Sequence, residues 1–213
     1  MKSPINPENW NRKEHFEFFK EFDEPFFGIV ADVDCTEALN WCRSHQISFF
    51  QFYLFQSLKA ANQLEEFRCR IEDDKPVLYD SVNASATISR ADHTFGFSFI
   101  PFVEDFSRFS RNVAEEVKAV SKTTGLRLTG ETGRNDVIHY SVLPWISFTG
   151  LSHARHFAFR DSVPKITFGK YSEKQRRIIM PVSVNAHHGL MDAWHVAEFF
   201  RLFTGFLANP DTE

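Results

Sequence analysis

The chain is poor in cysteine, has no long apolar run and carries no block of basic charge, and each absence removes a class of protein. Its three cysteines, Cys35, Cys42 and Cys69, are odd in number and form no Cys-x-x-Cys pair. They read as reduced, buried thiols rather than as a disulfide framework. No apolar stretch approaches the length of a membrane-spanning helix, and Met1 to Asn11 lacks a signal-peptide core. A cytoplasmic protein without a membrane partner is therefore expected. The net charge is −4 with a pI near 6.1, and neither a basic patch nor a zinc-finger spacing occurs, which argues against a nucleic-acid partner. Linkers, low-complexity tracts and internal repeats are also missing, so residues 1–213 are expected to form one domain.

What is present is apolar and aromatic. Hydrophobic residues make up 43% of the chain and charged residues 24%, ordinary for a globular protein, but 25 phenylalanines are far above usual composition. That many rings imply a large aromatic core and a subunit interface. Apolar periodicity predicts helices over about 11–22, 34–44, 48–67, 106–120 and 191–207. Strands are predicted over 26–33, 77–82, 84–89, 137–143, 166–171 and 178–186. A further strand alternates Phe95, Phe97 and Phe99 with Gly96, Ser98 and Ile100. Its aromatic stripe is expected to pack in the core, with an aromatic-ligand pocket as the alternative. Helices and strands in irregular alternation argue for an α/β or α+β layered fold.

The stretch that carries chemistry is His187-His188-Gly189-Leu190-Met191-Asp192, between an apolar strand and the last helix. Strand alternation sends the two histidines to opposite faces, with His188 on the side of Val182, Val184 and Ala186. An imidazole titrates near neutrality and suits proton abstraction, and a carboxylate four residues on can hold an arginine that orders the loop. Metal ligation is the weaker reading, because adjacent strand positions diverge and no His-Glu-x-x-His or cysteine cluster accompanies the pair. Strand-end histidines with satisfied hydrogen bonds are the plain structural alternative. On the strand 137–143, His139 and Ser141 share one face.

Four segments in order resemble the chloramphenicol acetyltransferases: Asn9 to Phe19 (Asn-Trp-x-Arg-Lys-Glu-His-Phe-Glu-x-Phe), Ser141 to Trp145 (Ser-Val-Leu-Pro-Trp), Thr167 to Tyr171 (Thr-Phe-Gly-Lys-Tyr), and His-His-x-x-x-Asp followed by Trp-His-Val at 187–196. The resemblance implies a two-layer mixed β-sheet covered by helices, the CoA-dependent acyltransferase fold, and a homotrimer with active sites between subunits. It implies acetyl-CoA as cosubstrate, no metal, and a hydroxyl of chloramphenicol or a similar small acceptor. It gives His188 the role of general base and Ser141 that of oxyanion donor. Thr167 would hold a water near the oxyanion, Asp192 and Arg12 would brace the loop, and Lys170 and Tyr171 would contact coenzyme A. Phe18, Phe19, His139 and Leu151 fall in the acceptor pocket.

The chain departs from the family pattern at several of these places. Ala193 follows Asp192 where the family has glycine, so a left-handed backbone there becomes costly. Ser48 and Phe50 stand where the family has a lysine and a tyrosine near coenzyme A. Phe19 replaces a tyrosine, His139 an asparagine, and Leu151 a residue that is often aromatic, which changes the hydroxyls the pocket can bond. Other readings are a serine-nucleophile mechanism through Ser141, the acyltransferase core of dihydrolipoyl dehydrogenase complexes, and an inactive trimer that only binds. No lipoyl-carrying domain or Ala/Pro linker accompanies the second of these.

Overall fold

Small and β-branched residues alternating with polar ones build the main sheet, and the structure, a computed structural model, describes residues 1–157 and 160–210 of the chain. In chain order the elements are β1 (Lys2–Pro4), α1 (Lys13–Phe19), β2 (Phe26–Asp34), α2 (Thr36–Ser44), α3 (Phe49–Asn62), α4 (Glu65–Arg68), β3 (Cys69–Glu72) and β4 (Lys75–Tyr79). There follow β5 (Asn83–Ser89), β6 (Phe95–Phe97), α5 (Phe106–Ser121), β7 (Val137–Leu143), β8 (Lys165–Gly169), β9 (Ser172–Lys174), β10 (Arg177–His187) and α6 (Ala193–Ala208). The large sheet runs β2-β10-β8-β7-β5-β6, with β9 paired to β10, and the small one runs β1-β4-β3. In the large sheet β7 is parallel to β5 and β8, and the remaining pairs are antiparallel.

The two faces of the large sheet differ in chemistry. Ala84, Ala86, Ile138, Tyr140, Ile166, Phe168, Val182, Val184 and Ala186 join the apolar sides of α2, α3, α5 and α6 in one core. Burying each large side chain there is worth ~1.5 to 3 kcal/mol. The opposite face is polar, and the register lays its side chains in rows: Ser183 beside Thr167 beside Ser141, and Asn185 beside Lys165 beside His139 beside Ser85.

Three expectations need correction. The helix expected over 48–67 is two helices. Ser48 caps α3, and Asn62 ends it by donating to Leu58 O and Val82 O while accepting from Val82 N, after which Leu64 is extended. The strand expected over 77–82 is β4, which starts at Lys75, ends at Tyr79 and pairs with β3 over Cys69–Glu72 in a short hairpin. Its turn residues Asp73 and Asp74 both have positive φ (48° and 60°), the conformation of a tight primed turn. The Phe95, Phe97, Phe99 stripe is not the core side: Gly96, Ser98 and Ile100 are buried, and Phe95 is 43% exposed. Gly96 fixes that orientation, because a Cβ there would lie 2.9 Å from Val120 Cγ1 and 2.4 Å from the Arg90 guanidinium.

The cysteines are free and buried, and burial pushes their thiols up, to about 12 for Cys35, 11 for Cys42 and 12 for Cys69. They stay protonated and inert. Where the small sheet meets β7, the fully buried Arg70 donates to four backbone carbonyls, those of Phe67, Cys69, Asn135 and Val137. Burial brings its guanidinium down to about 10, so it remains charged at neutral pH. No helix among the described residues is long and apolar enough to cross a membrane.

Candidate active site

At the end of β10 the two histidines part. His187 is buried, its Nδ1 accepts the Gly189 N–H at 3.1 Å, and burial together with the Arg155 charge pushes it down to about 4. Gly189 leaves room for that ring, since a Cβ there would sit 3.1 Å from it. His188 is half-buried. Its ring stacks on Phe19 with centroids 4.2 Å apart and planes 3° from parallel, and Phe27 covers it at 4.7 Å. His188 Nδ1 is buried without a hydrogen-bond partner. Phe18, Phe19 and Phe22 form a ring cluster beside it, with Phe18 and Phe22 exposed.

The loop is held from behind. Arg12, buried just before α1, donates from Nη1 to Asp192 Oδ2 and from Nη2 to the His188 carbonyl, both at 2.9 Å. Asp192 is also the N-cap of α6: its Oδ1 accepts the Trp194 N–H, and His195 Nδ1 lies 3.1 Å from the Asp192 N–H, closing a capping box. On its other side His195 Nε2 faces Glu66 Oε1 at 3.4 Å. Burial works against the Asp192 carboxylate, but the Arg12 hydrogen bond and the charge of His195 hold it below the usual range. Ala193 is the first residue of α6 and is not among the positive-φ residues, so the missing glycine causes no strain there.

Ser141 and Thr167 lie elsewhere. They are neighbours on the polar face of the sheet, and Thr167 Oγ1 is buried without a partner. His139, on the same face, is pushed down to about 4 by burial and the charge of Lys165, which pairs with Asp161 at 2.5 Å. Lys170 and Tyr171 follow β8, where Tyr171 meets Phe49 of α3 edge-on at 5.8 Å, on the helix-covered side of the sheet. With Phe49, Phe50 and Val142 they line a recess of about 410 Å³. Leu151 is half-buried in the segment joining β7 to β8.

The register keeps the two groups apart within one chain. Ser141 is level with Ser183, two strands away, and His188 lies five residues beyond Ser183. At ~3.3 Å per residue and ~4.8 Å per strand, that is roughly 17 Å along the strands and roughly 10 Å across them. By alternation the two side chains also leave the sheet on opposite faces.

A family model described as chloramphenicol acetyltransferase matches residues 3–203. The chain belongs to the chloramphenicol acetyltransferase family. Among its relatives, a chloramphenicol acetyltransferase of Clostridium perfringens is 28% identical over 98% of this chain and 95% of its own length. Chloramphenicol acetyltransferase 3 of Escherichia coli is 29% identical over 90% of each chain. A solved chloramphenicol acetyltransferase superposes with a TM-score of 0.89 at 30% identity, over 97% of this chain and all of the other. The mixed sheet under helices is thus the chloramphenicol acetyltransferase fold, and the chain is an acyltransferase. A dihydrolipoamide acetyltransferase of Azotobacter vinelandii, 16% identical over 92% of this chain and 86% of its own, shares that fold with a TM-score of 0.70.

Glu66, His195 and Phe27 around the braced loop were not singled out from the sequence as site residues. A histidine three residues after an N-cap aspartate is a capping-box signal, whereas nothing local in the sequence connects Glu66 to the loop.

Proposed function

We propose that the chain transfers an acetyl group from acetyl-CoA to a hydroxyl of chloramphenicol or a similar small acceptor, in a site shared by two copies of a homotrimer. The observation that carries the reading is the separation of the histidines. His187 is buried and occupied by Gly189, while His188 is stacked on Phe19 and clamped through its own carbonyl by Arg12. His188 is then the general base. A neutral imidazole nitrogen takes the proton of the acceptor hydroxyl as its oxygen attacks the thioester carbonyl, help typically worth ~10²- to 10⁴-fold.

The Ser141 hydroxyl donates to the oxyanion that forms; loss of one such donor elsewhere costs ~10²- to 10³-fold. The unpartnered Thr167 hydroxyl beside it suits a water held near the same oxygen. As the oxyanion collapses the C–S bond breaks, and His188 returns its proton to the departing thiolate. Lys170, Tyr171 and the recess beside them take coenzyme A. Phe18, Phe19, His139 and Leu151 shape the acceptor pocket. Because the register holds Ser141 far from His188 in one chain, the serine of each site comes from a neighbouring copy. The second wall would also cover the outward-facing Phe95, Phe97 and Phe99, an apolar surface that favours association.

Thiol release from acetyl-CoA across a panel of hydroxylated acceptors, for the native chain and His188→Ala, tests this. Turnover of at least one acceptor that falls by two orders of magnitude or more in His188→Ala supports it. No turnover of any acceptor, or an unaffected His188→Ala, overturns it. Brisk turnover of an acceptor other than chloramphenicol would assign the task to that acceptor, in keeping with the neutral imidazole of His139 in the pocket.

A further inference from the structure

Behind the Arg12–Asp192 pair the chain of contacts continues to a second carboxylate. His195 Nδ1 lies 3.1 Å from the Asp192 N–H and 2.9 Å from Asp192 Oδ1, and Nε2 lies 3.4 Å from Glu66 Oε1. We propose that His195, clamped between Glu66 and Asp192, is a positioning residue that sets the angle from which Asp192 orients Arg12 and hence the His188 loop. This rests on the reading of His188 as the base.

Two states of the ring hold the cap differently. With the proton on Nε2 alone, Nδ1 accepts the Asp192 N–H and Nε2 donates to Glu66, and only backbone fixes Asp192 on that side. With both nitrogens protonated, Nδ1–H donates to Asp192 Oδ1, so the carboxylate is gripped on Oδ1 by His195 and on Oδ2 by Arg12. The result is an alternating row, Arg12⁺, Asp192⁻, His195⁺, Glu66⁻, whose far end is the hydrogen bond from Arg12 to the His188 carbonyl. Charge-assisted bonds of this kind are shorter and stronger than neutral ones.

The charged groups acting on the ring are Glu66 from α4, Asp192 from its own helix cap and Arg12 from the segment before α1. Burial opposes the charge, but the Glu66 hydrogen bond and the two carboxylates outweigh it, and the imidazole is raised above its ordinary value. Glu66 is correspondingly lowered, chiefly by the hydrogen bond to His195. The doubly gripped state is therefore present below the raised value and lost as pH rises through it.

His195→Gln separates this role from plain structure, because glutamine at this position still closes a capping box but cannot carry charge. Helix integrity is then preserved while the grip on Asp192 Oδ1 is lost. The expected result is a kcat lower by roughly 10- to 100-fold, the scale of a small misplacement of a catalytic group, with the KM for acetyl-CoA unchanged and little change in Tm. Glu66→Gln should lower the His195 value, read by NMR titration of the ring. Its kcat deficit should be small at low pH and grow as pH rises through the new value. Amide exchange at Gly189, Leu190 and Met191 should quicken in His195→Gln, a readout that needs no turnover. Native kcat, native pH profile and native loop exchange in His195→Gln would overturn the proposal, as would a His195 titration unmoved by Glu66→Gln. If the native chain acetylates nothing, the reading of His188 fails separately, and the exchange and titration results still decide whether His195 sets the loop.

Discussion

If the base and the oxyanion donor of one site come from different copies, two inactive variants should repair each other. His188→Ala removes the base and Ser141→Ala the donor, and each alone should leave about 1% of native turnover or less, by the magnitudes usual for these roles. In a cyclic trimer assembled at random from equal amounts of both, a site is whole when its histidine comes from a Ser141→Ala copy and its serine from a His188→Ala copy. Each condition holds half the time, so about one quarter of sites are whole. The mixed preparation should reach about 25% of native turnover, some 25-fold above either parent. An acetyl-CoA thiol-release assay on the unfractionated co-expressed mixture gives the measurement. Tandem purification on separate affinity tags removes the homotrimers and should raise the figure to about one third, since each mixed trimer has one whole site of three. The separation of roughly 17 Å along the strands and roughly 10 Å across them leaves no room for a within-chain site. Mixed oligomers no more active than the average of the parents would refute that reasoning.

Asp192→Asn should lower both Tm and kcat. Breaking a buried ion pair costs ~3 to 5 kcal/mol, and the 35% exposure of the Asp192 side chain reduces that to about 2 kcal/mol, measured by denaturant unfolding. The Asp192 carboxyl is depressed below its ordinary 3.8, so its contribution is present above that value and lost as pH falls through the native one. The stability gap between native protein and Asp192→Asn should therefore close below about pH 4, and a gap constant from pH 7 to 3 would contradict the sign. Phe19→Tyr restores a phenol beside His188. A recovered hydrogen bond of ~1 kcal/mol should lower the KM for chloramphenicol about fivefold, read from steady-state kinetics.

The sequence carried the elements that owe their form to local pattern. The alternation through Val182, Val184 and Ala186 marks β10, and the narrow polar stripe of His195, Glu198 and Arg201 marks α6. It was silent where partners distant in sequence decide. The break after Asn62 depends on Val82, which pairs with the asparagine side chain from twenty residues on. The period of the Phe95 to Phe99 stripe says that two faces differ, but not that α5 lies against the glycine side. Similarly, the resemblance paired Arg12 with Asp192, and the hydrogen bond from Arg12 to the His188 carbonyl became visible only with the loop in place. The register that keeps Ser141 from His188 is a property of strand pairing that no single strand displays.

Arg70 has a consequence for the order of assembly. Two of the four carbonyls around its guanidinium come from Asn135 and Val137, 65 and 67 residues further along the chain. Until that segment arrives, the charge keeps its water, and the small hairpin that bears it has no reason to settle against the large sheet. Closing so distant a contact costs loop entropy before it returns any bonding, which places the joint on the slow, late side of folding. Interactions formed after the folding barrier act mainly on the rate of escape from the native state. Replacing Arg70 with methionine should accordingly steepen unfolding kinetics far more than it slows refolding, so that this one cation acts as a latch on the lifetime of the folded chain.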